Sequence, residues 1–180
     1  MSNLPERITI CNVFDLEQHE RDGLDQVVSI LDPGSPEPVE LRAVDRRFLC
    51  TLRFHDVVED IEPLISPQAS HIEKLLEFGC SLDGGANRRL LIHCFAGLCR
   101  STAAALILIA QSDPHGSPES AVARLLEIIP HAWPNARMVQ LGDERLQLDG
   151  ELVRALEVHY DRMCHLYPVF GRLMRHGSPL

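Results

Sequence analysis

Residues 90–111 read LLIHCFAGLCRSTAAALILIAQ, and the fold turns on how this stretch is divided. Leu90, Leu91 and Ile92 form a short aliphatic run that ends in His93 and Cys94, the pattern of a buried strand. Five residues, Phe95, Ala96, Gly97, Leu98 and Cys99, separate Cys94 from Arg100, and from Ser101 onward the residues favour a helix. A loop of that length entering a helix N-terminus can turn its backbone N–H groups inward, where the helix dipole favours an anion. Phosphate suits such a cradle, and the planar Arg100 guanidinium can add two donors to its oxygens in a way that lysine cannot. The same positive surroundings favour a thiolate at Cys94. A thiolate facing a bound phosphate is a nucleophile aimed at phosphorus.

Three more strands are expected upstream: RITIC (7–11), QVVSIL (26–31) and FLCTLRFHD (48–56), joined by RLLIH (89–93). DPGSPEP forces a turn after the second, and SPEPVELRAVDR (35–46) reads as a surface loop. PQASHIEKLLEFGCSL (67–82) carries Ile72, Leu75, Leu76 and Phe78 at helical spacing, which makes a strand, helix, strand unit with the fourth strand. Four helices are expected after it, within 101–111, 117–129, 134–146 and 151–167. The predicted fold is α/β: a single domain over residues 1–170 with a small, mainly parallel sheet of about four to five strands flanked by helices. Residues 171–180, ending in HGSPL, read as a frayed tail.

Composition narrows the function classes. The 180 residues carry 17 Lys and Arg against 26 Asp and Glu, a formal charge of −9, which disfavours broad contact with nucleic acid or an anionic membrane. The longest unbroken apolar run, Ala103–Ala110, is eight residues, far short of the roughly 20 that a spanning helix needs. Glu6 and Arg7 stand where a secretory signal would be apolar, so a cytoplasmic protein is expected. Cysteines 11, 50, 80, 94, 99 and 164 are irregularly spaced, which points to reduced thiols. No C-x-x-C or H-x3-H spacing accompanies them, and neither a metal nor another cofactor is expected.

HCFAGLCRS matches the H-C-x-x-G-x-x-R-S signature of the cysteine-dependent protein tyrosine phosphatases, and its late position in the chain resembles their dual-specificity branch. PNARMVQL resembles that branch's P-N-x-x-x-x-Q-L segment, and VVSILDPG the region before its substrate-facing loop. The resemblance spans roughly residues 7–145 and is dense around 90–102. It implies a phosphomonoester hydrolase in which Cys94 attacks phosphorus to form a cysteinyl-phosphate. Backbone N–H groups of Phe95, Ala96, Gly97, Leu98, Cys99 and Arg100, with the Arg100 side chain, would hold the phosphoryl oxygens. Ser101 would assist departure of the sulfur, His93 would tune the thiol and loop from beneath, and Asn135 would brace the neighbouring loop.

The family's general acid is an aspartate on a separate loop. Asp56, in FHD, is preferred because it fits an F-x-D pattern; Asp60 is the alternative, nearer the family's usual separation, lying 34 positions before Cys94 against 38 for Asp56. His55 could line the cleft. Cys99 departs from the branch's usual Ser and gives C-x4-C-R, the spacing of low-molecular-weight tyrosine phosphatases, so a reversible Cys94–Cys99 disulfide is expected, with Cys50 as a lesser resolving thiol. The implied partner is a phosphorylated protein, phosphotyrosine favoured, and the loop would hold phosphate or sulfate. The uncharged run Phe95–Cys99 argues against phosphoinositides. The alternative reading is a catalytically weak phosphoprotein-binding module that uses the same loop.

Overall fold

The computed structural model describes residues 4–21, 23–85, 87–169 and 171. Strands β1 (Arg7–Asn12), β2 (Gln26–Leu31), β3 (Leu49–Arg53) and β4 (Arg89–Cys94) form one sheet in the order β1-β4-β2-β3, with every pair parallel. Parallel neighbours cannot be joined by a hairpin, so each connection must cross over. Helices α1 (Leu16–Glu20) and α2 (Ala69–Ser81) lie in the β1–β2 and β3–β4 connections, and α3 (Arg100–Ser112), α4 (Pro118–Ile128), α5 (Ala136–Leu146) and α6 (Glu151–Leu166) follow β4. The expected single α/β domain is what the chain forms.

The two inner strands are covered on both faces: β2 is buried at every position and β4 at all but its first. That is why QVVSIL and RLLIHC lack the apolar–polar alternation of a half-exposed strand. Helix α3 is buried from Arg100 to Ile109, apolar on every side from Ala103 onward, and serves as the spine of the helical layer. Leu106 and Ile107 are completely buried there; each contributes roughly 1.5–3 kcal/mol of transfer free energy, largely offset by chain entropy. Helix α5 crosses α3 so closely that a Cβ at Gly142 would lie 2.6 Å from Cγ1 of Ile107.

The opposite face has a smaller core of Cys11, Leu16, Val27, Leu41, Val44 and Leu91. Its cover differs from expectation. Residues 35–46 are not a plain surface loop: a 3-10 turn over Val39–Ala43 plugs the completely buried Leu41 into the sheet, and a second spans Arg46–Phe48. One leucine among prolines and charges has no period from which to read burial. β3 also stops at Arg53 rather than Asp56. Phe54 N–H still donates to the Leu31 carbonyl at 3.1 Å, but His55 N–H turns to the carbonyl of Ile65 at 2.7 Å, so the chain leaves the sheet to begin a loop. The HGSPL tail lies outside the described residues. Among those described, no helix is long and apolar enough to cross a membrane.

Candidate active site

β4 ends at Cys94 and α3 begins at Arg100, which puts residues 95–99 at the C-terminal edge of the sheet, where open parallel sheets place their ligands. The loop is seated on β1. Gly97 has φ +72°, and a Cβ there would come within 2.7 Å of the Cys11 carbonyl carbon and 2.8 Å of the Asn12 nitrogen. Only glycine allows both that conformation and that approach. Three loop carbonyls are tied to outside N–H donors: Phe95 to Val13 at 3.3 Å, Leu98 to Trp133 at 3.0 Å and Cys99 to Asn135 at 3.1 Å. With these carbonyls engaged outward, the positive ends of their peptide dipoles are directed toward the concave side. Cys94 is 1% exposed; its Sγ accepts the Gly97 N–H at 3.2 Å and lies 3.2 Å from Ser101 Oγ.

Arg100 is 3% exposed, yet only part of its guanidinium is bonded. Nη1 donates to Asp32 Oδ1 at 2.5 Å and to the Phe54 carbonyl at 2.7 Å. Nε makes no hydrogen bond among the described residues, and Asp56 Oδ2 stands 3.7 Å from it. A buried charged donor left so is costly, and an anion in the loop would satisfy it. Asp32 was not foreseen as a site residue. The available signal was topological: it directly follows β2, the neighbour of β4, and strand ends on one edge converge.

Of the two acid candidates, Asp56 meets the loop. Asn135 Nδ2 donates to Asp56 Oδ1 at 2.8 Å and to the Val57 carbonyl at 3.2 Å, while Asn135 Oδ1 caps α5 by accepting from Met138 N at 3.0 Å. With its own N–H on the Cys99 carbonyl, Asn135 joins the loop that carries Asp56, the 95–99 loop and α5. Asp60 is turned to other partners: the Ser66 hydroxyl, and Arg137 at 3.0 Å, which together hold its carboxyl below the usual range. It does not line the cavity beside Cys99 and Arg100, whereas Asp56 and His55 do.

His93 is completely buried, and neither ring nitrogen has a hydrogen bond among the described residues; burial, and to a lesser degree the Arg100 charge, pushes its pKa down to about 4, so the imidazole is neutral at pH 7. The Cys99 thiol packs with Trp133 and Met163. Burial, followed by the Asp56 charge, pushes its pKa far up. Cys50 is also a buried thiol, raised to about 11. It lies on β3, which β2 separates from β4, so about two strand spacings, roughly 10 Å, intervene. That exceeds a disulfide's reach and removes Cys50 as a resolving thiol for Cys94.

A cavity of about 720 Å³ opens beside the loop. Its far wall is α6, contributed by Val153, Leu156, Glu157, Tyr160 and Asp161. The Tyr160 ring stacks on Trp133 at 5.8 Å and its hydroxyl donates to the Pro134 carbonyl, which steadies the segment that carries Asn135. The sequence offered no sign that α6 reaches the site, because its amphipathic pattern is that of any core helix. Among the described residues no three His, Cys, Asp or Glu side chains are grouped to hold a metal ion.

The parallel sheet, the strand, loop, helix passage and the helical layer make this the fold of the cysteine-dependent protein tyrosine phosphatases, and the chain resembles their dual-specificity branch. Among solved structures it is similar to DUSP15, at 26% identity over 87% of this chain and 94% of that one, with a TM-score of 0.52. It also superposes on the PTP-2 phosphatase of Cydia pomonella (18% identity, 79% and 88% covered, TM-score 0.58) and on human DUSP28 (17%, 78% and 90%, TM-score 0.54). No protein-family model matches the sequence, and a search among curated proteins finds no match.

Proposed function

We propose that the protein is a phosphomonoester hydrolase of the dual-specificity type, acting on phosphoproteins, phosphotyrosine above all, through a cysteinyl-phosphate. The observation that carries this reading is the loop: Cys94 Sγ within 3.2 Å of both Gly97 N and Ser101 Oγ, beside an Arg100 Nε that is buried without a hydrogen bond among the described residues. In the first step the Cys94 thiolate attacks phosphorus. The loop N–H groups and Arg100 stabilise the equatorial oxygens, and the P–O bond to the leaving group breaks as Asp56 gives that oxygen a proton. In the second, Asp56 takes a proton from water, water attacks phosphorus, and the S–P bond breaks with Ser101 hydrogen-bonded to the departing sulfur. No metal is required in either step. Near-complete burial of Cys94 favours a long aryl phosphate over a short alkyl one. Cys11, Cys50, Cys94 and Cys99 are free thiols, which fits the cytoplasm as the working compartment.

One observation favours the binding-module alternative. Asp56 is tied to Asn135 and faces Arg100, so it must turn toward a leaving group before it can act. The deciding experiment is hydrolysis of an activated aryl phosphate, and of a phosphotyrosine peptide, in reductant and EDTA. The enzyme reading expects turnover of both, abolished by Cys94→Ser with phosphate binding retained. Binding without turnover of either compound would establish the module instead.

A further inference from the structure

We propose that His55 is a positioning residue for the proton donor: hydrogen bonds at its N–H, its carbonyl and its ring Nδ1 together fix where Asp56 stands. This rests on the hydrolase reading above, in which Asp56 is the acid. His55 N–H donates to the Ile65 carbonyl at 2.7 Å, and the Ile65 N–H donates back to Nδ1 of the His55 ring at 2.9 Å. The two bonds close residues 56–64 into a loop at its root, with a side chain doing what a main-chain acceptor does in a strand pair. A third bond runs from the Val57 N–H to the His55 carbonyl at 3.0 Å, which makes a three-residue turn with Asp56 at its apex. Because Nδ1 accepts, the ring proton belongs on Nε2, and the ring cannot rotate without giving up Ile65.

The hold sits where the sheet lets go. β3 ends at Arg53, and Phe54 N–H still donates to β2, so His55 is the first residue whose main chain bonds to the loop instead. Farther along, α5 takes over: Asn135 Nδ2 donates to Asp56 and to the Val57 carbonyl, and Arg137 pairs with Asp60 and donates to the Pro67 carbonyl. Asn135 and Arg137 tie the loop to a neighbouring helix, while His55 ties its two ends to each other. Both ends line the cavity, through His55, Asp56, Val57 and Val58 on one side and Leu64 on the other. Asp56 has to leave Asn135 to reach a leaving group, and with the root closed it can do so by turning its side chain about a fixed backbone. The residue type matters for the acceptor it offers. Asparagine places Oδ1 where Nδ1 stands, glutamine places its acceptor one atom farther out, and leucine has none.

The test measures kcat and KM of the full chain on a phosphotyrosine peptide and on para-nitrophenyl phosphate, whose leaving group departs with little help from an acid. On the peptide, kcat should fall about tenfold in His55→Leu and His55→Gln, roughly the worth of one hydrogen bond, while His55→Asn stays within about twofold of wild type. On para-nitrophenyl phosphate all three variants should stay within about threefold, which also shows that they fold. In an Asp56→Asn background His55→Leu should cost the peptide no further activity, since His55 acts through Asp56. The inference is overturned by equal losses in His55→Asn and His55→Leu, by a parallel loss on para-nitrophenyl phosphate, by a peptide kcat that no variant changes, or by additive losses in the double variant. Wild-type turnover of para-nitrophenyl phosphate without the peptide overturns it too, and in each of these cases the hydrolase reading stands. Should the wild type turn over neither compound, that reading fails and the inference falls with it.

Discussion

Asp32 Oδ1 lies 2.5 Å from Nη1 of Arg100, so a carboxylate that follows β2 fixes the guanidinium at the start of α3. The two residues are 68 positions apart in sequence and adjacent only because β2 and β4 pair. Arg100 is almost fully buried, while the Asp32 side chain is 44% exposed, so the carboxylate serves as an anchor at the edge of solvent.

Removing that anchor should affect substrate capture and transition-state binding together. Asp32→Asn keeps the shape but loses the charge; kcat/KM should fall roughly 10- to 30-fold, with a raised KM, and urea unfolding should show a loss of about 1–2 kcal/mol, below the full cost of orphaning a buried ion because Asp32 is half in water. Kinetics that match wild type would show that Phe54's carbonyl alone orients Arg100.

Asp56 and Asp60 are separable by leaving group. On a phosphotyrosine peptide Asp56→Asn should lower kcat by about 100-fold or more and Asp60→Asn by no more than about threefold, while on an activated aryl phosphate Asp56→Asn should matter far less. A larger loss from Asp60→Asn would reverse the assignment. Asn135→Ala should share part of the Asp56→Asn defect, since Nδ2 of Asn135 holds that carboxylate at 2.8 Å.

His93 makes stability depend on pH in a defined window. Its folded pKa is lowered from 6.5 to about 4, so between these values the unfolded chain binds more protons, and stability is lost as pH falls through 6.5 and fully lost near 4. Between pH 7 and 4.5 the wild type should lose about 2 kcal/mol more than His93→Gln, followed by urea midpoints, with His93→Asn as a second neutral replacement. His71 and His159 are lowered too, so the variants should keep a shallower slope of the same sign. Parallel pH curves for wild type and both variants would refute the role given to burial.

Cys99 is proposed as a resolving thiol, and its surroundings set the conditions. One equivalent of peroxide converts Cys94 to a sulfenic acid; attack by Cys99 sulfur then forms the disulfide and releases water. Because burial and Asp56 keep Cys99 protonated, capture should be slow at pH 7 and faster after a jump to pH 9, followed by mass spectrometry of the Cys94–Cys99 bond. Cys99→Ser should then be over-oxidised more readily. A capture rate independent of pH would contradict this account.

Most of the architecture was readable in advance because it depends on periods and breakers. QVVSIL and RLLIHC announce buried strands, and the aliphatic sweep from Ala103 to Ala110 announces a helix enclosed on every side. The positions of Cys94, the loop after it and Arg100 were equally legible, being contiguous along the chain. Asp32 and the α6 wall were not, since each reaches the site by tertiary packing: one through strand order, the other through a helix whose face of residues 153, 156, 157, 160 and 161 meets the site only once the helix has docked. Leu41 was missed for a similar reason, because its burial is decided by the underside of the sheet rather than by its neighbours in sequence.

The loop's three outward carbonyls are held by main-chain donors of residues 13, 133 and 135, and none of those bonds depends on the side chains of Phe95, Leu98 or Cys99. The scaffold of the loop is therefore insulated from the identity of its exposed rim. Phe95, 56% exposed, is open to exchange as a facing that alters what the mouth accepts, while Gly97 and the contacts beneath it remain as the fixed mount.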